Sequence, residues 1–423
     1  MTAVAAVLLL ALVLVFAKGC RARHSAPSYP LPQLNTILTN EMSDTSVLAP
    51  MDKSIEKFMR QYNIQGMSLS IMRNDSLLYS KGYGWADEEK DQKMTPGTIL
   101  RMASASKLLT AVGIMVLKEQ GLLSLDDKVF GPDGILSDSI YNNVIKDRNY
   151  YRITVEQLLR HQGGFTTRGG DPMFTTRDII RVNKLESAPD HRTLLQCVLP
   201  RRLGFVPGTS QSYSNFGYLL LSMIIEKVTG EDYEDWMQEN VLKPAGCYDM
   251  HIAENYYHLK RPNESRYHMQ KNDTMVPEFN DSGDSVVRCY GGNDIKALAG
   301  AGAWVASTAE LARFVASIDG RPEVPDIISK ESVDEMIEYF DKETFSLGWN
   351  DTEPESGWTR TGTFSGTSAL IKYYPDGECW ILITNTGTWL GPRFSNRTTA
   401  LFKDSRAKYS ALLPARNLFR GTD

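Results

Sequence analysis

The amino-acid sequence predicts a mixed α/β (α+β) fold, with an antiparallel sheet built from both ends of the chain and a helical lobe inserted between them. Near the start, two runs of β-type residues flank Asn74-Asp75-Ser76, a turn sequence typical of a hairpin. Near the end, Tyr374-Pro375-Asp376-Gly377 separates two more β-rich runs. From about residue 125 to residue 300 the chain consists mainly of helical segments and long loops.

The helices are predicted from apolar periodicity. Residues 51–64 space their apolar side chains along one helical face, and the segment SKLLTAVGIMVLKEQ from Ser106 predicts a long, deeply buried helix that stops at Gly121. Residues 153–165 and 214–241 are the clearest helical segments of the inserted lobe. After residue 300, a strand or loop leads into another helix.

The first 20 residues predict a signal peptide of the lipoprotein type. An apolar run from Ala3 to Ala17 is too short for a typical membrane span, and Cys20 follows as the candidate lipidated residue. Lys18 is unusual there and no basic residue precedes the run, so an uncleaved N-terminal anchor is the alternative. Either way, we expect an exported protein on the periplasmic or cell-surface side, tethered to the membrane only through its N-terminus.

Composition separates the remaining chain into two parts. Residues 21–50 are rich in Ser, Pro and Asn with little periodicity, which predicts a linker. Residues 51–423 then form the domain, and 42% hydrophobic residues overall are enough for a large core. We expect a monomer.

Charge and cysteine content exclude several classes of function. A net charge of −5 without any basic block argues against nucleic acid as a partner. Cys197, Cys247, Cys289 and Cys379 are far apart, and no H-E-x-x-H occurs, so we expect no metal site. One or two disulfides are possible in an exported chain.

The segment RMASASKLLTA contains a candidate nucleophile. On a helix, residues i and i+3 share a face, so Ser104 can meet Lys107 while Ser106 cannot. A buried lysine has a lowered pKa and can take the proton of a serine hydroxyl. Alone, the pattern also fits a helix cap followed by a solvated lysine. The apolar helix that follows favours the catalytic interpretation.

Two further motifs could complete a site. In Tyr213-Ser214-Asn215, a tyrosine beside a cation can exchange protons, and the asparagine can hold both the lysine and a substrate amide. A surface turn before a helix is the structural alternative.

At Arg360-Thr361-Gly362-Thr363, on a predicted edge strand, the glycine allows close backbone approach and the next N–H can enter an oxyanion hole. Arg360 would hold a substrate carboxylate. An ordinary strand with a solvated arginine is the alternative.

Taken together, the three motifs resemble those of the serine β-lactamase and penicillin-binding protein superfamily, in particular its class C β-lactamase and D-alanyl-D-alanine carboxypeptidase/esterase branch. The resemblance covers roughly residues 51–390. The supporting matches are Leu158-Leu159-Arg160-His161-Gln162-Gly163-Gly164, Pro207-Gly208, Phe216-Gly217-Tyr218, Gly300-Ala301-Gly302 and Leu347-Gly348-Trp349.

The resemblance implies a two-lobed β-lactamase/transpeptidase-like fold with the site between the lobes. It implies that Ser104 is acylated, that Lys107 and Tyr213 transfer protons and that Asn215 orients the substrate. It places the oxyanion between the N–H groups of Ser104 and Thr363, with Arg360, Thr361 and Gly362 along the substrate. The family needs no cofactor.

Arg360 departs from the family pattern, in which the third motif usually opens with lysine or histidine. Arginine stays charged and cannot exchange a proton. The substrate therefore remains open between a β-lactam, a D-amino-acid peptide and an ester, in each case a small molecule or peptide with a carboxylate. A non-catalytic penicillin-binding receptor or scaffold is the alternative function. We expect His161 to lie in a structural loop rather than to act in catalysis.

Overall fold

A computed structural model of the chain describes residues 31–168, 170–270 and 274–421. Its strands are β1 (Gly66–Arg73), β2 (Ser76–Asp87), β3 (Gln92–Lys93), β4 (Leu100–Arg101), β5 (His251–Ile252), β6 (His268–Met269), β7 (Met275–Pro277), β8 (Ser285–Val287), β9 (Trp304–Ala306), β10 (Trp358–Phe364), β11 (Thr367–Tyr373), β12 (Glu378–Thr384) and β13 (Thr386–Gly387).

The main sheet has six strands in the order β10-β11-β12-β1-β2-β3. The strands β1 and β12 pair antiparallel, with Met67 opposite Thr384 and Arg73 opposite Glu378. The two ends of the chain thus form one antiparallel sheet, and the predicted fold class is confirmed. β10 lies at the edge of this sheet.

Both predicted hairpins are present. Asn74 and Asp75 have φ angles of 46° and 56°, which a two-residue hairpin loop requires and which Asn and Asp tolerate. In the second hairpin Gly377 has φ 83°. The N–H of Asn74 donates to the carbonyl of Gly377 at 3.0 Å, so the two turns lie side by side.

The helices within the described residues connect and cover this sheet. They are α1 (Leu34–Ile37), α2 (Ala49–Tyr62), α3 (Ser106–Glu119), α4 (Ser139–Asn142), α5 (Val155–Leu159), α6 (Thr176–Asn183), α7 (His191–Val198), α8 (Asn215–Thr229), α9 (Tyr233–Met237), α10 (Thr308–Ala316), α11 (Lys330–Met336) and α12 (Phe394–Tyr409), with short 3₁₀ turns and one π-helical turn, Gln238–Leu242.

Each face of the sheet is covered by helices. On one face α10 packs against β1, and the hydroxyls of Ser68 and Ser70 each lie 2.8 Å from the hydroxyl of Thr308. On the other face α2 and α12 share a core in which the rings of Phe58 and Phe394 are 5.7 Å apart. Because both faces are covered, every residue of β11 and β12 is buried.

Helix α3 is the centre of the inserted lobe. Every residue from Ser106 to Leu117 is buried, which agrees with its nearly continuous apolar sequence. The other helices of the lobe are shorter than predicted. The segment 214–241 divides at Gly230, whose φ of 74° ends α8, and in the segment 153–165 only Val155–Leu159 is α-helical.

The predicted linker differs from the structure over its second half. Leu34 and Leu48 are fully buried, and α1 packs near α10. The side chain of Asn40 accepts from the N–H of Gly82 at 2.8 Å and donates to the carbonyl of Met94 at 2.9 Å. In this segment the polar side chains therefore include ones that bind the rest of the domain, and the segment is not a free linker. The predicted signal peptide, Cys20 and the first part of the predicted linker lie outside the described residues.

Four cysteines lie in the described part of the chain, and all four are in the thiol form. The possible disulfides are therefore not formed among them. None of the helices in the described ranges is long and apolar enough to cross a membrane.

Candidate active site

Ser104 lies in a 3₁₀ turn, Ala103–Ala105, immediately before α3. It is the one half-exposed residue between residues 101 and 110, where all others are buried. Ala103 has φ 49°, a conformation that a residue with a side chain adopts only under strain. The turn presents the Ser104 hydroxyl at the positive end of the helix dipole.

Lys107 is fully buried one turn further along. Its Nζ donates to the Oγ of Ser104 at 3.3 Å, to the Oδ1 of Asn215 at 2.7 Å and to the carbonyl of Ala301 at 2.5 Å. Burial lowers the pKa of Lys107 to about 8; Arg360 acts in the same direction and Tyr213 in the opposite one. A lysine with this pKa exchanges its proton near neutral pH.

Tyr213 is positioned by the start of α8. The Oγ of Ser214 accepts from the N–H of Gly217 at 3.0 Å and caps the helix, which fixes the residue before it. The ring of Tyr213 lies 4.8 Å from the Nζ of Lys107. Burial raises the pKa of Tyr213, but the charges of Lys107 and Arg360 outweigh burial and the pKa falls below its ordinary value.

His161 packs against the ring of Tyr213. The two ring centroids are 4.5 Å apart, and the Nδ1 of His161 accepts from the backbone N–H of Ser214 at 3.2 Å. Burial, with the nearby Lys107 and Arg360, lowers the pKa of His161 well below its usual value, so the ring is neutral. Its place is a loop that packs beneath the site.

Asn215 is held on both sides by charged groups. Its Oδ1 accepts from Lys107, and its Nδ2 donates to the Oδ2 of Asp171 at 2.7 Å. The second oxygen of Asp171 accepts from the N–H of Met173 at 3.0 Å. Sequence reasoning missed Asp171, because nothing in the local sequence GGDPMF indicates a partner 44 residues away.

β10 runs directly against the turn that carries Ser104. A Cβ on Gly362 would lie 2.1 Å from the carbonyl oxygen of Met102 and 3.1 Å from the amide nitrogen of Ser104. Real side chains do not tolerate such distances, so the position requires glycine. This close approach brings the backbone of residue 363 next to Ser104.

The free edge of β10 faces away from β11. The N–H of Thr361 donates to the Oδ1 of Asn350 at 2.7 Å, so it points to that edge. Because N–H directions alternate along a strand, the N–H of Thr363 points to the same edge. The oxyanion hole formed by the N–H groups of Ser104 and Thr363 stays a prediction, and this position of Thr363 agrees with it.

The sequence predicts that Arg360 holds a substrate carboxylate, for which its guanidinium group has to reach the substrate. Arg360 is fully buried, and its Nε and Nη2 donate to the backbone carbonyl of Ser104 at 2.9 and 2.5 Å. Its Nη1 has no hydrogen-bond partner in the described part of the chain. The long side chain on the inward face of β10 reaches beneath the nucleophile, so its contact with a substrate carboxylate stays a prediction.

The structure thus brings Ser104, Lys107, Tyr213 and Asn215 into one group, with β10 alongside it. Ser106 is fully buried, and its Oγ accepts from the N–H of Trp304 at 3.2 Å, away from this group. The choice of Ser104 over Ser106 agrees with this geometry.

Comparison with known proteins places this site in a family. The model of the family described as Beta-lactamase matches residues 51–403. Among curated relatives, Protein flp of Staphylococcus aureus (strain MW2) is 29% identical over 234 residues, which is 54% of this chain and 43% of that protein. The chain therefore matches less than half the length of that relative.

Penicillin-binding protein 4* of Bacillus subtilis (strain 168) is 24% identical over 348 residues, 78% of this chain and 70% of that protein. Among solved structures, a class C beta-lactamase superposes with a TM-score of 0.64 at 20% identity, covering 88% of this chain and 97% of that one.

A D-stereospecific amidohydrolase from Streptomyces sp. superposes with a TM-score of 0.62 at 19% identity, covering 84% of this chain and 98% of that one. These structures share the fold. Because the family model extends over most of the residues that build the sheet, the lobe and the site between them, the chain belongs to the beta-lactamase family.

Proposed function

We propose that the protein is an exported serine hydrolase that acts through an acyl-enzyme on Ser104. The observation that carries the proposal is the position of the Lys107 Nζ, which is shared by Ser104, Asn215 and Ala301 directly beneath the half-exposed serine. Neither a helix cap nor a solvated lysine accounts for a fully buried ammonium group in this place.

Lys107 is suited to activate Ser104. With a pKa of about 8, a useful fraction is neutral at pH 7 to 8. A neutral amine has two N–H donors and one lone pair, and Asn215 and Ala301 are the two nearer acceptors. The lone pair then faces the Ser104 hydroxyl, which lies farthest from Nζ at 3.3 Å.

Acylation follows from this arrangement. The Oγ of Ser104 attacks the substrate carbonyl carbon while its proton passes to Lys107. The N–H groups of Ser104 and Thr363 hold the oxyanion. When the bond to the leaving group breaks, Tyr213 gives that group a proton and recovers one from Lys107. A water molecule then attacks the ester carbonyl and gives a proton to Lys107. The bond between the acyl carbon and the Oγ of Ser104 breaks, Ser104 takes up that proton and the acid product leaves.

The substrate class is a β-lactam, a D-amino-acid peptide or an ester. The names of the relatives include a penicillin-binding protein, a β-lactamase and an amidohydrolase, which supports a carbonyl substrate without choosing among these.

A three-substrate panel tests the proposal. A labelled penicillin followed on a denaturing gel detects a long-lived acyl-enzyme, nitrocefin detects β-lactam turnover, and a small p-nitrophenyl ester detects esterase activity. We expect at least one positive result, lost in Ser104→Ala. A stable penicillin adduct without turnover would indicate the receptor or scaffold alternative.

Ser106→Ala is the matched control, because it removes the same hydroxyl two residues away. It costs the hydrogen bond to the N–H of Trp304, worth about 1 kcal/mol of folding stability. We expect it to retain most activity. Full activity of Ser104→Ala with every substrate would contradict the mechanism.

Export is tested separately. Incorporation of labelled palmitate into the full chain, compared with Cys20→Ser, distinguishes lipidation from an uncleaved anchor. Incorporation that is unchanged in Cys20→Ser would refute lipidation at Cys20. Size-exclusion chromatography tests whether the protein is a monomer.

A further inference from the structure

A cleft with a volume of about 90 Å³ lies next to the catalytic group, on the far side of Tyr213. Tyr213, Ser214 and Asp171 form the wall that it shares with the site. Anything bound in this cleft therefore lies against the residue that is placed to protonate a leaving group.

Three arginines line the other side of this cleft: Arg168, Arg201 and Arg202. All three are exposed. Within the described residues no side chain of these three arginines takes part in a hydrogen bond or an ion pair, whereas the buried Arg313 donates to three backbone carbonyls and Arg160 pairs with two glutamates. Three guanidinium groups without acidic partners remain available to a ligand.

Asp171 is the only carboxylate among the described residues that line the cleft. Its two oxygens already accept from the Nδ2 of Asn215 and the N–H of Met173. The cleft thus has three arginine charges and one carboxylate, and that carboxylate is already hydrogen-bonded through both oxygens. The whole chain, by contrast, has a net charge of −5. A concave site of one sign concentrates ligands of the opposite sign.

We propose that this cleft binds an anionic group of the substrate, a carboxylate or a phosphate, beyond Tyr213. The inference rests on the proposed hydrolase function and adds the chemistry of its substrate. Arginine binds both anions through paired N–H donors. The arginine-lined cleft then supplies the anion recognition that the buried Arg360 does not offer to solvent in this structure.

Ester pairs that differ in one charge test the proposal. The neutral reference is p-nitrophenyl butyrate for a charge in the acyl part and phenyl acetate for a charge in the leaving group. Mono-p-nitrophenyl succinate carries a carboxylate in the acyl part, 4-acetoxybenzoate carries one in the leaving group, and 4-acetoxyphenyl phosphate carries a phosphate there. We expect at least one anionic ester to be preferred, and the position and type of its charge identify the occupant.

The cleft variant is Arg168→Gln/Arg201→Gln/Arg202→Gln. We expect the ratio of kcat/KM for the preferred anionic ester over the neutral ester to fall roughly tenfold, the effect of weakening several charge-assisted contacts. The matched control is Arg397→Gln/Lys403→Gln/Lys408→Gln, which removes three exposed cations from α12. An equal fall in both variants, or an unchanged ratio in the cleft variant, would overturn the inference.

A binding measurement separates this inference from the hydrolase proposal. In Ser104→Ala, millimolar inorganic phosphate or glutarate should raise the melting temperature by binding the folded protein, and the cleft substitutions should remove this rise while the α12 substitutions keep it. If no ester is hydrolysed but this shift appears, the hydrolase proposal fails and the anion site stands. If esters are hydrolysed without charge preference and no shift appears, only the anion site fails.

Discussion

Two groups of buried titratable side chains lie in different parts of this molecule. In the first, Lys107 and Tyr213 lie beneath the half-exposed Ser104. In the second, Asp75 in the β1–β2 turn and Asp319 after α10 are 1% and 7% exposed, and the Oδ2 of Asp319 accepts from the hydroxyl of Tyr373 at 2.6 Å. Burial and the neighbouring Asp319 raise the pKa of Asp75 to about 8.

The difference lies in what surrounds each group. Lys107 and Tyr213 are unlike groups, and the pKa values of both lie below their ordinary values. The two carboxyl groups are alike: burial raises the pKa of both, and the neighbouring Asp319 raises the pKa of Asp75 further. Only the first group adjoins an accessible hydroxyl and free backbone N–H groups. A shifted pKa therefore identifies a site only together with such geometry.

The largest effect is expected from Lys107→Met, which removes the amine and keeps an apolar chain of similar length. We expect kcat/KM on the active substrate to fall about 10²–10⁴-fold, the range for loss of a general base. Thermal unfolding should be little affected or improved, because no buried cation remains. Activity within tenfold of the wild type would exclude Lys107 as the base.

A smaller loss is expected from Gly362→Ala. The new methyl group must displace β10 from Met102 and Ser104, and loss of one oxyanion donor typically costs about 10²–10³-fold in kcat. Thr363→Ala is the matched comparison, since it removes a neighbouring side chain and keeps the N–H. Equal losses in both variants would argue against the backbone oxyanion hole.

The pH profile tests the charge of Arg360. The rate should rise with pH as Lys107 loses its proton, with a midpoint near its pKa of about 8. Because Arg360 lowers this pKa, Arg360→Gln should move the midpoint to higher pH. Arg321→Gln, beside the carboxyl pair, should leave it in place. An unmoved midpoint in Arg360→Gln would show that its charge does not act on the base.

The smallest effect on activity is expected from Asp75→Asn. A carboxyl group with a raised pKa contributes stability below its unfolded pKa of about 4 and loses it as pH rises to about 8. The amide can still accept from the N–H of Val324 and can donate to Asp319 without a shared proton. We expect a melting temperature roughly 2–4 °C higher at pH 9, and a smaller gain at pH 4.

Asp133→Asn, an exposed carboxylate, serves as the control for the pH 9 measurement. A gain of the same size in this variant, or a loss of hydrolysis in Asp75→Asn, would mean that the carboxyl pair is not the separate structural group described above.

Local chemistry made much of the fold predictable. The turns at Asn74-Asp75 and Tyr374–Gly377 follow from residues that accept turn conformations, and α3 follows from an apolar run too long for a strand. That strands from both ends of the chain share one sheet followed from the position of the β-rich runs, whereas the pairing of β1 with β12 is seen only in the structure. The structure of residues 31–50 could not be predicted in this way, because the contacts of this segment with Gly82 and Met94 depend on strands elsewhere in the chain.

The site shows the same division. By itself the sequence determined which serine faces the lysine, since helical spacing is a local property that needs no other part of the chain. Only the tertiary structure decided that Asp171 holds Asn215 and that Arg360 lies beneath Ser104. It also decided that three arginines meet across a cleft beside Tyr213. Those relations join residues that are distant in sequence, and packing between separate elements alone brings them together.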